Sequence, residues 1–265
     1  MPITPAHVAA VLPVLGRRRS WVVPAAWVVG SMSPDLVYFA PVGNARAYSH
    51  SLVGLLTVDL VLGGLVLAAW WTVVGAAARD LLPEDARRRV SWPVVPRGRW
   101  GRVVLGLLGG SVTHVVWDSF THRDGWGAAH VPGLRDAVWA GQPATSVLQD
   151  GSGVVGLVAL AAWAAVRLRE APAVVEDAPV LTQAERWVAR VLVVVVPVAL
   201  CASITAAVAW DFTYLVNALF VGFTRAVALS SVLVVLAAVG WHLLRRRRCG
   251  TRTGDAALGR VTGSR

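Results

Sequence analysis

Ser51 to Ala78 reads SLVGLLTVDLVLGGLVLAAWWTVVGAAA and carries one charged side chain, Asp59. A helix needs about 20 mostly apolar residues to cross the hydrocarbon core of a bilayer, so this stretch decides the class of the protein. Four further runs share its character. Val103 to Phe120 carries only His114 and Asp118. Gly153 to Val166 is short and gains length if it starts nearer Val147. Val188 to Trp210 contains Pro197, which a membrane helix tolerates as a kink, and Ala226 to Leu244 closes the series. The expected fold is all-α: a polytopic membrane helical bundle of about five transmembrane helices plus a short N-terminal helical hairpin.

Composition agrees. Of 265 residues, 56% are hydrophobic and 15% charged, with a mean hydropathy of +0.60, whereas soluble domains are about 25% charged. Disorder needs the opposite balance. Two cysteines, Cys201 and Cys249, make neither a disulfide framework nor a multi-cysteine zinc module. The net charge of +10 comes from 25 basic residues, all of them Arg. They sit between apolar runs and not on one continuous basic face, which argues for membrane topology and against nucleic-acid binding.

The Arg positions orient the spans. Arg79, Arg87 to Arg89, Arg97, Arg99 and Arg102 separate the first two runs. Arg167, Arg169, Arg186 and Arg190 separate the third from the fourth, and Arg245 to Arg248 follow the fifth. Cytoplasmic loops carry the Arg excess, so these segments and the C-terminus are expected in the cytoplasm, in a multi-pass protein of the cell membrane. The expected parts are a His/Asp-containing membrane domain over 1–166, a cytoplasmic linker over 167–187, a two-helix C-terminal membrane segment over 188–244, and a basic, disordered cytoplasmic tail over 245–265. Most of the 13 Trp lie near span ends, among them Trp21, Trp70, Trp71, Trp100, Trp126, Trp187, Trp210 and Trp241, as an interfacial belt would.

The first 50 residues hold two apolar runs, Ala6 to Leu15 and Trp21 to Met32, separated by Arg17-Arg18-Arg19. Basic residues follow the first run, the reverse of a secretory signal. Thr4-Pro5 reads as an N-cap followed by Pro at the first helical position. A helical hairpin with its Arg tip toward the cytoplasm returns His7 and Asp35 to the outer level.

The chemistry-bearing residues gather at that level. His114, Asp118 and His122 are four residues apart and fall within about 80° on one helix face. His50 begins the first span. Together with His7 and Asp35 they offer five or six nitrogen and oxygen ligands, a set suited to zinc and also to manganese or iron. The plain alternative, in which these groups satisfy one another across helices, remains open, although ionisable groups within a membrane commonly face a cavity or a partner. Asp59 falls about 180° round from His50 and roughly 13 Å deeper, off that face. His130 sits in a Pro/Gly loop, and His242 lies at the far end of the last span.

Met1-Pro2-Ile3-Thr4-Pro5-Ala6-His7, Gly30-Ser31-Met32-Ser33-Pro34-Asp35, Ser49-His50-Ser51 and the segment Ser111 to Trp126 (SVTHVVWDSFTHRDGW) resemble an uncharacterised bacterial membrane family, the domain of unknown function 4184. The resemblance covers roughly residues 1–165. That family is similar in pattern to the membrane-bound metal-dependent hydrolases, and zinc-dependent phospholipase C uses a related His/Asp set on helices. The resemblance implies His7, Asp35, His50, His114 and Asp118 as metal ligands. The sequence departs from the hydrolases at Pro34-Asp35-Leu36, where they tend to have a second Asp nearby, and in carrying His122. One metal is therefore expected rather than two. Gln149-Asp150-Gly151-Ser152 also looks like a family segment, which makes Asp150 a further candidate.

Two functions follow as expectations. One is a membrane-embedded metal-dependent hydrolase acting at the outer leaflet on a lipid-linked phosphoester. It would hold a divalent ion, zinc first among them, through His7, Asp35, His50, His114, Asp118 and His122. Asp35 would serve as ligand or general base, and His122 as ligand or general acid. The other is a non-enzymatic scaffold or small-solute or ion transporter whose His/Asp network is structural, with a proton-linked carrier depending on Asp59 as a variant of it. Membrane lipids are the expected partners in either case.

Overall fold

The computed structural model describes residues 4–16, 21–39, 46–92, 94–139, 141–173, 179–209 and 215–262. Each of the five long apolar runs is helical over its described core, and the helices continue into the polar flanks, where their hydrogen bonding persists. Among the described residues, five helices are long and apolar enough to cross a membrane: Leu52–Asp80, Trp100–Thr121, Ala144–Glu170, Gln183–Ala209 and, within a longer helix, Ala218–Arg248. In chain order the helices are α1 (Thr4–Leu15, mostly 3-10), α2 (Pro24–Gly30), α3 (Arg46–Ser49), α4 (Leu52–Asp80), α5 (Glu84–Arg89), α6 (Trp100–Thr121), α7 (Trp126–His130), α8 (Ala144–Glu170), α9 (Gln183–Ala209) and α10 (Leu215–Thr262). A 3-10 helix, Ser33–Phe39, follows α2. Among the described residues, the remaining regular structure is a two-stranded antiparallel ribbon, Ala137–Trp139 with Gln142–Pro143.

Two expectations about chain ends change. The third span reaches back to Ala144, so its length is ample. The tail expected to be disordered continues α10 as far as Thr262. The Arg17 to Arg19 tip and Trp210 lie outside the described residues.

The chain divides into two units, residues 1–67 with 96–170 and residues 68–95 with 171–265, and α4 contributes its first half to one and its second half to the other. In the first unit α6 is central and buries 39% of its apolar window, the largest share among the five spans. The contact that organises this unit is α2 on α6. Gly110 has no room for a side chain, because a Cβ there would meet Ser31 N and Trp27 O at 2.5 Å. Small residues let two membrane helices approach at backbone distance. Ser33 and Ser111 use that approach: their hydroxyls are hydrogen-bonded at 2.8 Å, and Gly30 O lies 2.9 Å from Ser33 Oγ and 3.1 Å from Ser111 Oγ.

The entry to α4 is equally specific. Ser51 is extended and caps the helix by accepting from Gly54 N at 3.1 Å. A Cβ on Gly54 would run into Tyr48 O, so only glycine lets the α3 turn fold back over the start of α4. His50 is thereby fixed at the joint. Two turns of α4, Leu55–Asp59 and Trp70–Val74, are π-helical.

In the second unit Asp80, at the end of α4, accepts from Val180 N (3.3 Å), Leu181 N (3.0 Å) and Trp241 Nε1 (2.9 Å). Trp241 is buried and so belongs to this knot and not to an interfacial belt. Arg79 stacks on Trp92 at 4.5 Å, and His242 Nε2 donates to Val73 O at 2.9 Å.

Candidate metal centre

Asp35, His50, His114 and Asp118 each bring one ligand atom into a cluster whose members all lie within 4.8 Å of one another. They come from three elements of the first unit. Asp35 sits on the 3-10 helix after α2, His50 at the α3–α4 joint, and His114 and Asp118 one turn apart on α6. His114 Nε2 is 3.5 Å from Asp35 Oδ1 and 3.7 Å from Asp118 Oδ2, and His50 Nε2 is 3.2 Å from Asp118 Oδ2. Asp35, His114 and Asp118 are buried, and His50 is nearly so.

The tautomers follow from the backbone. A carbonyl only accepts, so His114 Nδ1–H donates to Ser31 O at 2.8 Å and His50 Nδ1–H to Arg46 O at 3.1 Å. Each neutral ring then turns the lone pair of Nε2 toward carboxylate oxygens. Two acceptors cannot bond each other, so the cluster requires a cation between them or protons on the rings. His114 Nε2 and Asp35 Oδ1 are fully buried with no hydrogen-bond partner, a state that costs free energy unless a ligand resolves it. Two imidazoles and two carboxylates form a donor set that fits a divalent ion, and carbonyls fixing the far nitrogens are the usual outer support of such a set.

His7 and His122 flank the four. The His7 ring stacks on His114 with centroids 3.8 Å apart, and its Nε2 is 3.6 Å from Asp118 Oδ1. Burial, reinforced by His114, pushes His7 down to about 4 against the opposing pull of Asp118 and Asp35. His122 turns the other way. Its Nδ1 meets Asp118 O at 3.2 Å and lies 3.5 Å from Asp118 Oδ2, while its Nε2 accepts from Gln149 at 3.3 Å. Both nitrogens are thus engaged, so His122 stands beside the ligand set and outside it. Burial, with Arg46 adding to it, also lowers His122, against the pull of Asp118.

Asp35 is held from the N-terminus. Thr4 Oγ1 donates to Asp35 Oδ2 at 2.7 Å, so this residue, expected as a helix cap, clasps the cluster instead. Burial works to raise the Asp35 carboxyl, but the His114 ring and the Thr4 hydroxyl bring it below the ordinary value.

Asp59 is fully buried, both of its oxygens lack partners, and His114 and Asp35 act on it electrostatically. It lies nearer the cluster than helical counting from His50 implies. Asp150 is exposed beside Gln142 and Ser146, and its neighbour Gln149 is the residue that reaches His122. His130 is exposed and stacks on Trp126.

Sequence reading missed Arg46. Its NH2 is 3.4 Å from Asp118 Oδ2, and its NH1 is 3.6 Å from Asp124 Oδ2. The available signal was an Arg standing four residues before His50, among segments otherwise poor in Arg.

A family model described as Domain of unknown function (DUF4184) matches residues 1–239. The chain belongs to this family. The match runs past residue 165 through α9 and into α10, where no motif was legible, so it takes in four of the long apolar helices and the first part of the fifth. No curated protein and no solved structure matches the chain.

Proposed function

We propose that the protein is a membrane-embedded metal-dependent hydrolase whose centre lies at the outer leaflet and acts on a phosphoester. The observation that carries this reading is the pair of Nε2 atoms, on His50 and His114, that backbone carbonyls aim at the carboxylates of Asp35 and Asp118. Zinc suits this mixture of imidazole and carboxylate. A divalent ion bound there would supply Lewis-acid polarisation of the ester and acidify an attacking water. His50, His114, Asp35 and Asp118 would hold it.

The other roles fall to side chains around that set. Arg46 offers a guanidinium at the rim of the cluster, suited to an anionic phosphoryl group. His7 lines a cavity beside Asp118 and, kept neutral by burial, is available to accept a proton from the attacking water. His122, with both ring nitrogens engaged by Asp118 O and Gln149, has no free proton to give a leaving group in this arrangement. The Arg-rich segments after α4, α8 and α10 support a cytoplasmic C-terminus and hence a centre facing the outer leaflet. The similarity in pattern to membrane-bound metal-dependent hydrolases points the same way.

The test is elemental analysis of purified protein in detergent, with a chromogenic phosphoester assay on the same sample. Stoichiometric metal and turnover that both vanish in His114→Ala are expected. Metal without turnover on any phosphoester would overturn the hydrolase reading in favour of an ion-binding scaffold or transporter. One observation favours that second reading: Asp59 is a buried carboxylate without a partner, as an ion-carrying helix would have.

A further inference from the structure

A cavity of about 310 Å³ opens beside the centre in the first unit, between α1, α6 and α8. Its polar end is walled by His7, Asp118 and Gln149, and its far end by Ala10, Gly156 and Ala159. From Gln149 to Ala159 it follows α8 for about 15 Å. The volume is at the small end of ligand pockets, roughly 300–1,000 Å³.

We infer that this cavity seats one hydrocarbon chain of a membrane lipid, whose polar head then lies at the His/Asp centre. Three observations carry the assignment. The cavity adjoins the centre, because Asp118 belongs to both and His7, 3.6 Å from Asp118 Oδ1, lines the cavity beside it. Its polarity falls in one direction: below Ser152 the α8 wall is Gly153, Val155, Gly156 and Ala159, which offer no side-chain donor or acceptor to a water or a peptide backbone. Its depth lies within segments long and apolar enough to cross the bilayer, and exposed Val155 and Ala10 on its walls leave it open toward the lipid. A saturated chain has no hydrogen bonds to lose there, whereas water or an inserted loop would leave polar groups unmet. The small side chains make the room: a larger residue at Ala10 or Ala159 would occupy it.

The inference deepens the proposed function by naming a lipid substrate held by its chain. The chain site is tested separately from the metal. Full-length protein is reconstituted in phosphatidylcholine vesicles containing a small fraction of phosphatidic acid with a diazirine midway along one acyl chain. After photolysis, adducts are mapped by mass spectrometry. Adducts should be enriched several-fold on residues 6–10 and 152–159 over the equally lipid-exposed apolar face of α9. Ala159→Trp and, independently, Ala10→Leu should remove that enrichment while metal content and α9 labelling stay at wild-type levels. Uniform labelling, or enrichment that survives both variants, would overturn the chain site. Enrichment in protein that binds no metal would support the chain site and sink the hydrolase reading alone.

Discussion

The imidazole of His114 and the carbonyl of Ser31 are joined by a 2.8 Å hydrogen bond between α6 and the end of α2. This bond fixes which nitrogen of His114 faces the cluster. It exists because Gly110, one turn earlier on α6, lets Ser31 come within backbone distance. Gly110→Ala should therefore cost about 1–3 kcal/mol, the usual effect of overpacking, and should also lower bound metal. Thermal melting and elemental analysis of one purified sample check both. A destabilised variant with full metal content would show that the tautomer does not depend on this contact.

Metal removal should loosen the first unit. The cluster gathers carboxylates and imidazoles whose buried atoms include two without partners, and an ion satisfies them together. A chelator is expected to lower the melting temperature, and Asp118→Asn should blunt that effect. An unchanged melting temperature would favour groups that satisfy one another without metal.

The metal-free protein should lose stability on mild acidification. His7 falls from 6.5 to about 4 on folding, so between those values the unfolded chain binds a proton that the folded chain refuses. Stability is fully present above about pH 6.5 and declines as pH falls toward about 4, by on the order of 2–3 kcal/mol at most. His122 shifts in the same direction. His7→Gln should flatten the slope of melting temperature against pH; a slope identical to wild type would remove His7 as its source.

Arg46→Gln separates binding of the anion from binding of the metal. A hydrogen bond to a charged group contributes about 1.5–3 kcal/mol, so turnover of a phosphoester should fall about ten- to a hundred-fold with metal content retained. Loss of metal instead would make Arg46 a support for Asp118 rather than a substrate group.

Orientation is open to cysteine labelling. In intact cells a thiol introduced by His130→Cys should react with an impermeant reagent, and Cys249 should react only after permeabilisation. The reverse pattern would move the centre to the cytoplasmic leaflet.

Helix class and span number were legible because apolar runs of this length have one structural outcome in a bilayer. The cluster was legible in part for a similar reason: His114, Asp118 and His122 repeat at helical spacing on one element. Spacing does not say where a ring nitrogen points, however, and His122 turns both of its nitrogens to other partners. Asp59 eluded the count for a geometric reason. Ser51 is extended, so His50 lies outside α4, and the turn ending at Asp59 is π-helical, so 100° per residue from His50 does not apply. Thr4 and Arg46 act through contacts spanning 31 and 72 residues, and no local pattern reports those. The knot around Asp80 likewise joins residues 100 and 161 positions away.

The clasp between Thr4 and Asp35 has a practical consequence. Two residues separate Thr4 from His7, and both bear on the cluster, yet neither belongs to one of the five long apolar helices. An affinity tag or leader fused at this end could disturb that clasp while every span still inserts and the protein still accumulates in the membrane. Such a preparation would look sound by yield and by helical content while its His/Asp cluster was disturbed. Purification handles therefore belong away from Thr4, after α10.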